Sequence, residues 1–348
     1  MVVQAGESTR EVNIAVVGLG FMGVTHIKAY QKTPGARVTA VCGLERLPVN
    51  GVLAGVTGNI TGSGDIDLGR GIKVYRALSE VLADPEIELV DLCVPTPLHA
   101  EHSIAALRSG KHVLCEKPLA LTSSEGRAIV EAAEAAPGFF MPAMCMRFWP
   151  GWSWLKQAVQ ANAYGKVLSA GFRRLSAVPT WSKATYASAH NNGGAVLDLH
   201  IHDTDYVQFL FGKPRSVFAT GVLRGGGSID HVVTQYNYLG GPPVHAEGGW
   251  LLAKGFRMSY LVHCERATLD YDLARGAEAL RVIEPDAEPR SIQFDDADGY
   301  AVELRYMIEA IRSGQAPEAV TARDGLSAIE ICEAEEKSVR TGAVVEIG

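Results

Sequence analysis

Apolar positions along this chain follow two rhythms, and the change between them falls close to Pro150. Before it, short β-branched runs alternate with helical patterns. Val12 to Val17 leads into a helix through Tyr30, and Arg37 to Cys42 follows. Ile72 to Tyr75 precedes a helix over Leu78 to Ala83, and Leu89 to Val94 precedes an amphipathic helix ending at Arg108, with Gly110 as its C-cap. Val113 to Cys115 precedes a helix over Ser123 to Ala135, and a last apolar piece runs through Met144. Strands alternating with helices predict an α/β fold with a doubly wound parallel sheet. Beyond Pro150, a helix to about Ala161 gives way to long alternating stretches: Val167 to Val178, Ser216 to Leu223, His231 to Tyr238, Val244 to Lys254 and Arg257 to Leu273. These predict an α+β domain built on an open, mainly antiparallel sheet with one covered face. Two helical segments, Asp298 to Ser313 and Arg323 to Thr341, close the chain. The expected division is a loose tail over 1–10, a doubly wound α/β domain over 11–145, and an α+β domain over 146–348. The closing helix is expected to pack back on the first domain.

Composition narrows the function classes. A chain of 348 residues, 47% hydrophobic and 20% charged, has material for two ordinary globular cores. A net charge of −7 argues against nucleic acid or an anionic membrane as the main partner. The six cysteines include no C-x-x-C pair and several sit in apolar runs, as reduced core cysteines do. No apolar run approaches the ~18 residues of a membrane span. Met1 to Arg10 lack a basic start and an apolar segment, so a cytoplasmic location is expected.

Three motifs carry chemistry. The first is Gly18-Leu19-Gly20-Phe21-Met22-Gly23, a G-x-G-x-x-G between a strand and a helix. In that context Gly18 permits the tight turn, Gly20 admits a pyrophosphate, and Gly23 lets helix and strand approach. The next strand should end in an acid for the ribose 2′-hydroxyl of NAD, but it ends in Gly43, with Glu45 and Arg46 close behind. Arginine suits a 2′-phosphate and Glu45 suits a ribose, so both NADP and NAD are open, with NADP expected to be accepted or even preferred. Residues Pro48 to Gly71 form an unusually long irregular stretch.

The second motif is Glu116-Lys117-Pro118, placed where a buried strand leaves the sheet. That is the edge at which open α/β sheets bind ligands. Proline stiffens the backbone presenting the amine, and a cis Lys117–Pro118 bond is expected. The third is Asp198 and His202, four residues apart and therefore on one face of a helix, with Asp205 nearby. A carboxylate beside an imidazole makes a tuned proton-transfer pair. Metal binding through His200, His202 and an aspartate is the less favoured reading, since those histidines face apart on a helix; no metal is expected.

G-L-G-F-M-G, P-T-P-L-H, G-K-H-V-L-C-E-K-P-L-A, M-R-F-W-P, G-G-A-V-L-D-L-H-I-H-D-T-D and E-A-E-E-K-S-V-R-T-G together resemble the glucose–fructose oxidoreductase/inositol dehydrogenase family of NAD(P)-dependent sugar and cyclitol oxidoreductases. The resemblance covers nearly everything from Val12 to Ile347. It implies a Rossmann-type dinucleotide-binding domain over 11–145 and a substrate and oligomerisation domain over 146–348. It also implies that Lys117 anchors the reacting hydroxyl and stabilises its alkoxide, and that His202 is the acid/base, oriented by Asp198, which also keeps Lys117 charged by proximity. Hydride passes between a secondary alcohol and the nicotinamide. Pro95, Thr96, His99 and Glu116 match positions on the nicotinamide side, and Arg147 matches an arginine near the same pocket, facing cofactor and substrate. Trp149, Trp152, Trp154 and Trp181 are candidates for stacking on a sugar, Trp181 foremost. The resemblance also admits a redox-neutral, NAD-dependent glycosidase and a non-catalytic NADP-binding regulator. A homodimer or homotetramer paired through the open sheet face is expected.

Overall fold

The computed structural model describes residues 10–44, 46–56, 64–178, 193–224, 227–294 and 298–348. The first half is the parallel sheet its β-branched runs predict. Its strands are β1 (Val12–Val17), β2 (Ala36–Cys42), β5 (Lys73–Tyr75), β6 (Leu89–Leu92), β7 (His112–Glu116) and β8 (Phe140–Ala143). The six lie in the order β5-β2-β1-β6-β7-β8, all parallel. The order reverses between β1 and β6, so their carboxyl ends open the crevice where such sheets take ligands. Helices α1 (Phe21–Tyr30), α2 (Leu78–Ala83), α3 (His99–Arg108) and α4 (Ser123–Ala135) connect the strands. Thr122 and Glu125 cap α4 reciprocally, a motif that contributes about 1 kcal/mol. The long irregular stretch contains more order than its glycines predict. Val52–Leu53 (β3) pairs antiparallel with Ile66–Asp67 (β4).

Helix α5 (Pro150–Gln160) begins with proline in its first turn and leads into the second sheet. That sheet comprises β9 (Val167–Ala177), β10 (Ser216–Arg224), β11 (Ser228–Asn237), β12 (Val244–Gly249), β13 (Leu251–Cys264), β14 (Thr268–Asp272), β15 (Leu280–Ile283), β16 (Arg290–Ile292) and β17 (Val345–Glu346). The order is β16-β15-β14-β13-β9-β12-β11-β10-β17. It is mixed rather than wholly antiparallel, because β12 runs parallel to β9. The stretch expected from Arg257 to Leu273 is two strands, turned where Cys264 N donates to Ala267 O at 2.8 Å. Its apolar alternation continues across the turn, which hides the break from a pattern of period two.

Ala170, Phe172, Arg174 and Ser176 of β9 face a core, while Leu168 and Arg173 face out. Trp152 is fully buried in that core, its ring 4.7 Å from Tyr206, 5.3 Å from Tyr260 and 5.8 Å from Phe172 between centroids. Across the covered face run α6 (Ile201–Phe211) and α8 (Ala322–Thr341), while α7 (Gly299–Ser313) packs against α1 of the first half. The closing helix α8 also reaches the first sheet's helices. Glu333 accepts from Ser123 N at 2.8 Å, Glu330 pairs with Arg127 at 3.2 Å, and Gly126 lies against Leu326 and Ile329. Among the described residues, no helix is long and apolar enough to cross a membrane.

Candidate active site

The glycine turn joins β1 to α1 at the crevice. Gly18 has φ +97°, and a Cβ there would lie 2.3 Å from Cys93 O on the neighbouring strand's exit. A Cβ on Gly23 would lie 1.9 Å from Gly18 O. Both positions therefore exclude any larger residue. Gly20 differs, since a Cβ there would meet nothing within 4 Å. Its surface is open ahead of the helix, and α1 has neither a side-chain cap nor an acid in its first turn. The first helical bond runs from Val24 N to Gly20 O, so the amides of Phe21, Met22 and Gly23 precede it. A helix start without a side-chain cap, the helix dipole and an open approach fit a dinucleotide pyrophosphate.

Two strands along from β1, β7 delivers Glu116, Lys117 and Pro118, and the Lys117–Pro118 bond is cis. Glu116 is buried and accepts from the Lys117 backbone N–H at 3.0 Å. The Lys117 ammonium crosses to the second half of the chain. It donates to the Asp198 carbonyl at 2.6 Å and lies 3.4 Å from the Asp198 carboxylate. Asp198 sits in a single π turn, Val196–His200, that runs directly into α6. An extra residue in one turn is a costly local geometry that recurs at functional sites. His202 lies in the first turn of α6. Burial, then the positive charges of Lys117 and Arg174, hold its imidazole well below the ordinary value of 6.5. The ring is therefore a neutral proton acceptor at neutral pH, and its buried Nδ1 has no hydrogen-bond partner in the fold.

A family model for an oxidoreductase family with an NAD-binding Rossmann fold matches residues 12–143, and one for a GFO/IDH/MocA C-terminal domain matches 152–270. The chain belongs to the GFO/IDH/MocA family of oxidoreductases. Its first half is accordingly that family's NAD-binding domain. Among relatives, it is 26% identical to the myo-inositol 2-dehydrogenase of Thermotoga maritima over 96% of this chain and 98% of that protein. It is 27% identical to the scyllo-inositol 2-dehydrogenase (NAD(+)) of Bacillus subtilis over 97% and 96%. The levoglucosan dehydrogenase of Pseudarthrobacter phenanthrenivorans is 30% identical, but the match spans 60% of this chain and only 54% of that relative. A solved levoglucosan dehydrogenase complex with NADH and levoglucosan superposes with TM-score 0.81 at 21% identity, covering 97% and 100% of the two chains. At that identity the likeness establishes the fold.

Several expectations drawn from the family resemblance change on contact with the structure. Asp198 lies against Lys117, as expected, the amine reaching both its carbonyl and its carboxylate, but it makes no hydrogen bond to His202, whose Nδ1 is left without a partner. Arg147 does not line the pocket. It is 5% exposed, forks onto Asp205 at 2.9 and 2.6 Å, donates to Ala319 O, and lies over the Phe209 ring. A buried guanidinium needs partners for its donors, and here they tie the β8 exit to α6 and to the segment before α8. His99 is buried too, with Nδ1 2.7 Å from Pro118 O and Nε2 2.9 Å from Val94 O. Burial lowers its pKa, and the neutral ring donates to one carbonyl at a time. It braces the Lys117–Pro118 turn rather than facing a ligand, while Pro95 and Thr96 remain accessible at the crevice. Trp149 and Trp152 are core residues and Trp154 packs on Tyr164. His200 is buried beside Tyr236 and Glu335, away from any metal-ligand cluster with His202. Arg46 donates to the carbonyls of Ala54 and Gly55 in the β3–β4 segment. Glu45 and Trp181 lie outside the described residues.

Sequence reasoning passes over His26 and Asp91. The available signal was Asp91 itself, a carboxylate inside the apolar run Leu89–Leu92, since a buried charge demands a partner.

Proposed function

We propose that the protein is an NAD-dependent dehydrogenase that oxidises a secondary hydroxyl of a cyclitol or sugar, reversibly, to the ketone. The observation that carries this reading is the convergence of Lys117 and Asp198 beside a histidine held neutral, at the mouth of the glycine-loop crevice. Full-length similarity to two inositol dehydrogenases supports a polyhydroxylated ring as substrate. When bound, NAD supplies the hydride acceptor. Gly18, Gly20, Phe21, Met22 and Gly23 would hold its phosphates, with Pro95, Thr96 and Glu116 on the nicotinamide side. His202 accepts the hydroxyl proton on its ring nitrogen as the C–H bond to the same carbon breaks. Lys117 holds the oxygen as negative charge develops, the role of a preplaced cation in a site sheltered from water. Asp198 holds the Lys117 amine in register through two contacts.

A panel of cyclitols, aldoses and polyols assayed with NAD and NADP in parallel tests this reading. Net NADH formation with at least one cyclitol or sugar is the expected result. Release of sugar from a glycoside without net cofactor turnover would replace it with the redox-neutral glycosidase. Tight cofactor binding with no turnover across the panel would replace it with a regulator. Because Arg46 is engaged by backbone carbonyls, the same panel should show NAD favoured over NADP, by about tenfold in kcat/KM, or ~1.4 kcal/mol. NADP favoured by that ratio would show that Arg46 releases the loop for a 2′-phosphate.

The assembly proposed is a homodimer or homotetramer. The outer face of the second sheet presents Leu168, Val233 and Leu261 among the Arg173–Glu247 pair and His231. An apolar face framed by polar residues is of the kind covered by a second copy. Sedimentation at micromolar concentration should give at least a dimer; a monomer would overturn this.

A further inference from the structure

Behind Glu116, beneath the crevice, lies a closed cluster of ionisable groups that the proposed chemistry does not use. His26 projects from α1 with its side chain wholly buried. Its Nδ1 is 2.8 Å from Asp91 Oδ2 on β6. Its Nε2 faces Glu116 Oε1 at 3.2 Å on β7, without the alignment of a full hydrogen bond. Cys93 completes the first side, its Sγ 3.4 Å from His26 Nδ1 and 3.5 Å from Asp91 Oδ1. Two further buried groups face the cluster: the Tyr30 hydroxyl from α1, beside Asp91, and the Glu303 carboxyl from α7, whose oxygens have no hydrogen-bond partner in the fold. Burial, then the nearby Glu116 charge, pushes Glu303 well above the usual carboxylate range, which favours its neutral form. The carboxylates in direct contact with His26 are Asp91 and Glu116.

We propose that His26 is a positioning residue for Lys117: its ring, protonated on both nitrogens, bridges Asp91 to Glu116 and so fixes the carboxylate that accepts the Lys117 backbone N–H. The chain of contacts is continuous. Asp91 anchors one side of the ring and Glu116 Oε1 takes the other, while Glu116 Oε2 receives the Lys117 amide at 3.0 Å. The bridge joins the helix of the glycine loop to the two strand ends that frame the crevice. It thereby couples the cofactor half of the site to the amine that holds the substrate oxygen. Two carboxylates facing one ring make an imidazolium the economical arrangement, since a neutral ring would leave one of them buried and unmatched. Burial alone would lower the pKa of His26, but its contacts with Asp91 and Cys93 together raise it, in keeping with that geometry. A metal held by His26, Asp91 and Cys93 is the competing arrangement, but the three ligand groups already contact one another directly.

This inference rests on Lys117 being the reacting amine, and the experiments separate the two claims. His26→Gln should lower kcat roughly 10²-fold, as a misplacement of about 1 Å does, with NAD affinity measured by fluorescence unchanged within about threefold. The loss should largely vanish when His26→Gln is introduced into Glu116→Gln, because the bridge is already gone. Independent, fully multiplying losses would overturn the proposal. Histidine ring-nitrogen NMR on the cofactor-free wild type gives a readout independent of turnover. The His26 signals, assigned by their loss in His26→Gln or their shift in Glu116→Gln, should be those of a doubly protonated ring at about pH 8. A neutral ring at that pH, or one equivalent of bound transition metal in the purified protein, would overturn the proposal even if His26→Gln fails to fold. Near-normal turnover in Lys117→Ala would instead sink the reading of the site and leave the NMR result standing.

Discussion

Lys117→Ala should lower kcat by about 10²–10³, the loss seen when a preorganised donor to a developing oxyanion is removed. The amine has no substitute close at hand. Its contacts are the Asp198 carbonyl and carboxylate, which are acceptors, so its removal leaves negative charge on Asp198 facing a reacting oxygen that is itself becoming an anion. Cofactor affinity should change little, because the pyrophosphate contacts come from the glycine turn and the α1 amides rather than from β7. Steady-state kinetics with separately measured NAD binding checks both halves. A kcat within a factor of about three of wild type would mean that the alkoxide is stabilised elsewhere. Lys117→Arg should recover little, since a planar fork cannot reproduce the point contact that a short ammonium makes with the Asp198 carbonyl.

His202→Ala should cost about 10²–10⁴ in kcat, the usual contribution of a positioned acid/base. Part of that loss should return at high pH, where hydroxide replaces the missing base. The wild-type pH profile carries the sign of the effect. His202 accepts a proton only when neutral, and its pKa is held well below the ordinary 6.5 by burial and by the charges of Lys117 and Arg174. Alcohol oxidation should therefore stay level as pH falls through 6.5 and decline only at more acidic values. Lys117→Ala removes one of the charges depressing that pKa, so the acid limb should move upward in this variant. A wild-type limb at or above 6.5 would identify another group as the base. The double variant should lose far less than the product of the single losses, because both residues act on the same hydroxyl.

Local sequence determined the parts of this protein that obey short-range rules. The β-branched runs and glycine-bounded helices place every strand of the first sheet, because each element's burial pattern repeats within a few residues. G-x-G-x-x-G marks the turn because Gly18 and Gly23 have no room for a Cβ, a constraint visible wherever strand and helix flank it. Lys117 and His202 were legible as chemistry for a similar reason: each is a polar residue placed at the end or start of an apolar element. Tertiary structure decided the partnerships. Spacing of four assigns Asp198 to His202, whereas the π turn and the arrival of β7 leave it the other expected partner, Lys117, 81 positions away in sequence. Arg147 and His99 are polar residues beside a site in sequence, yet burial commits them to Asp205 and to two carbonyls. Asp91 and His26 show the same limit from the other side. A carboxylate in an apolar strand announces that a partner is needed, but its partner comes from a different element, 65 residues distant. Period and propensity are properties of neighbours along the chain. Which charge neutralises which is settled only when elements pack, because an ion pair's energy depends on distance in space and on the water excluded around it.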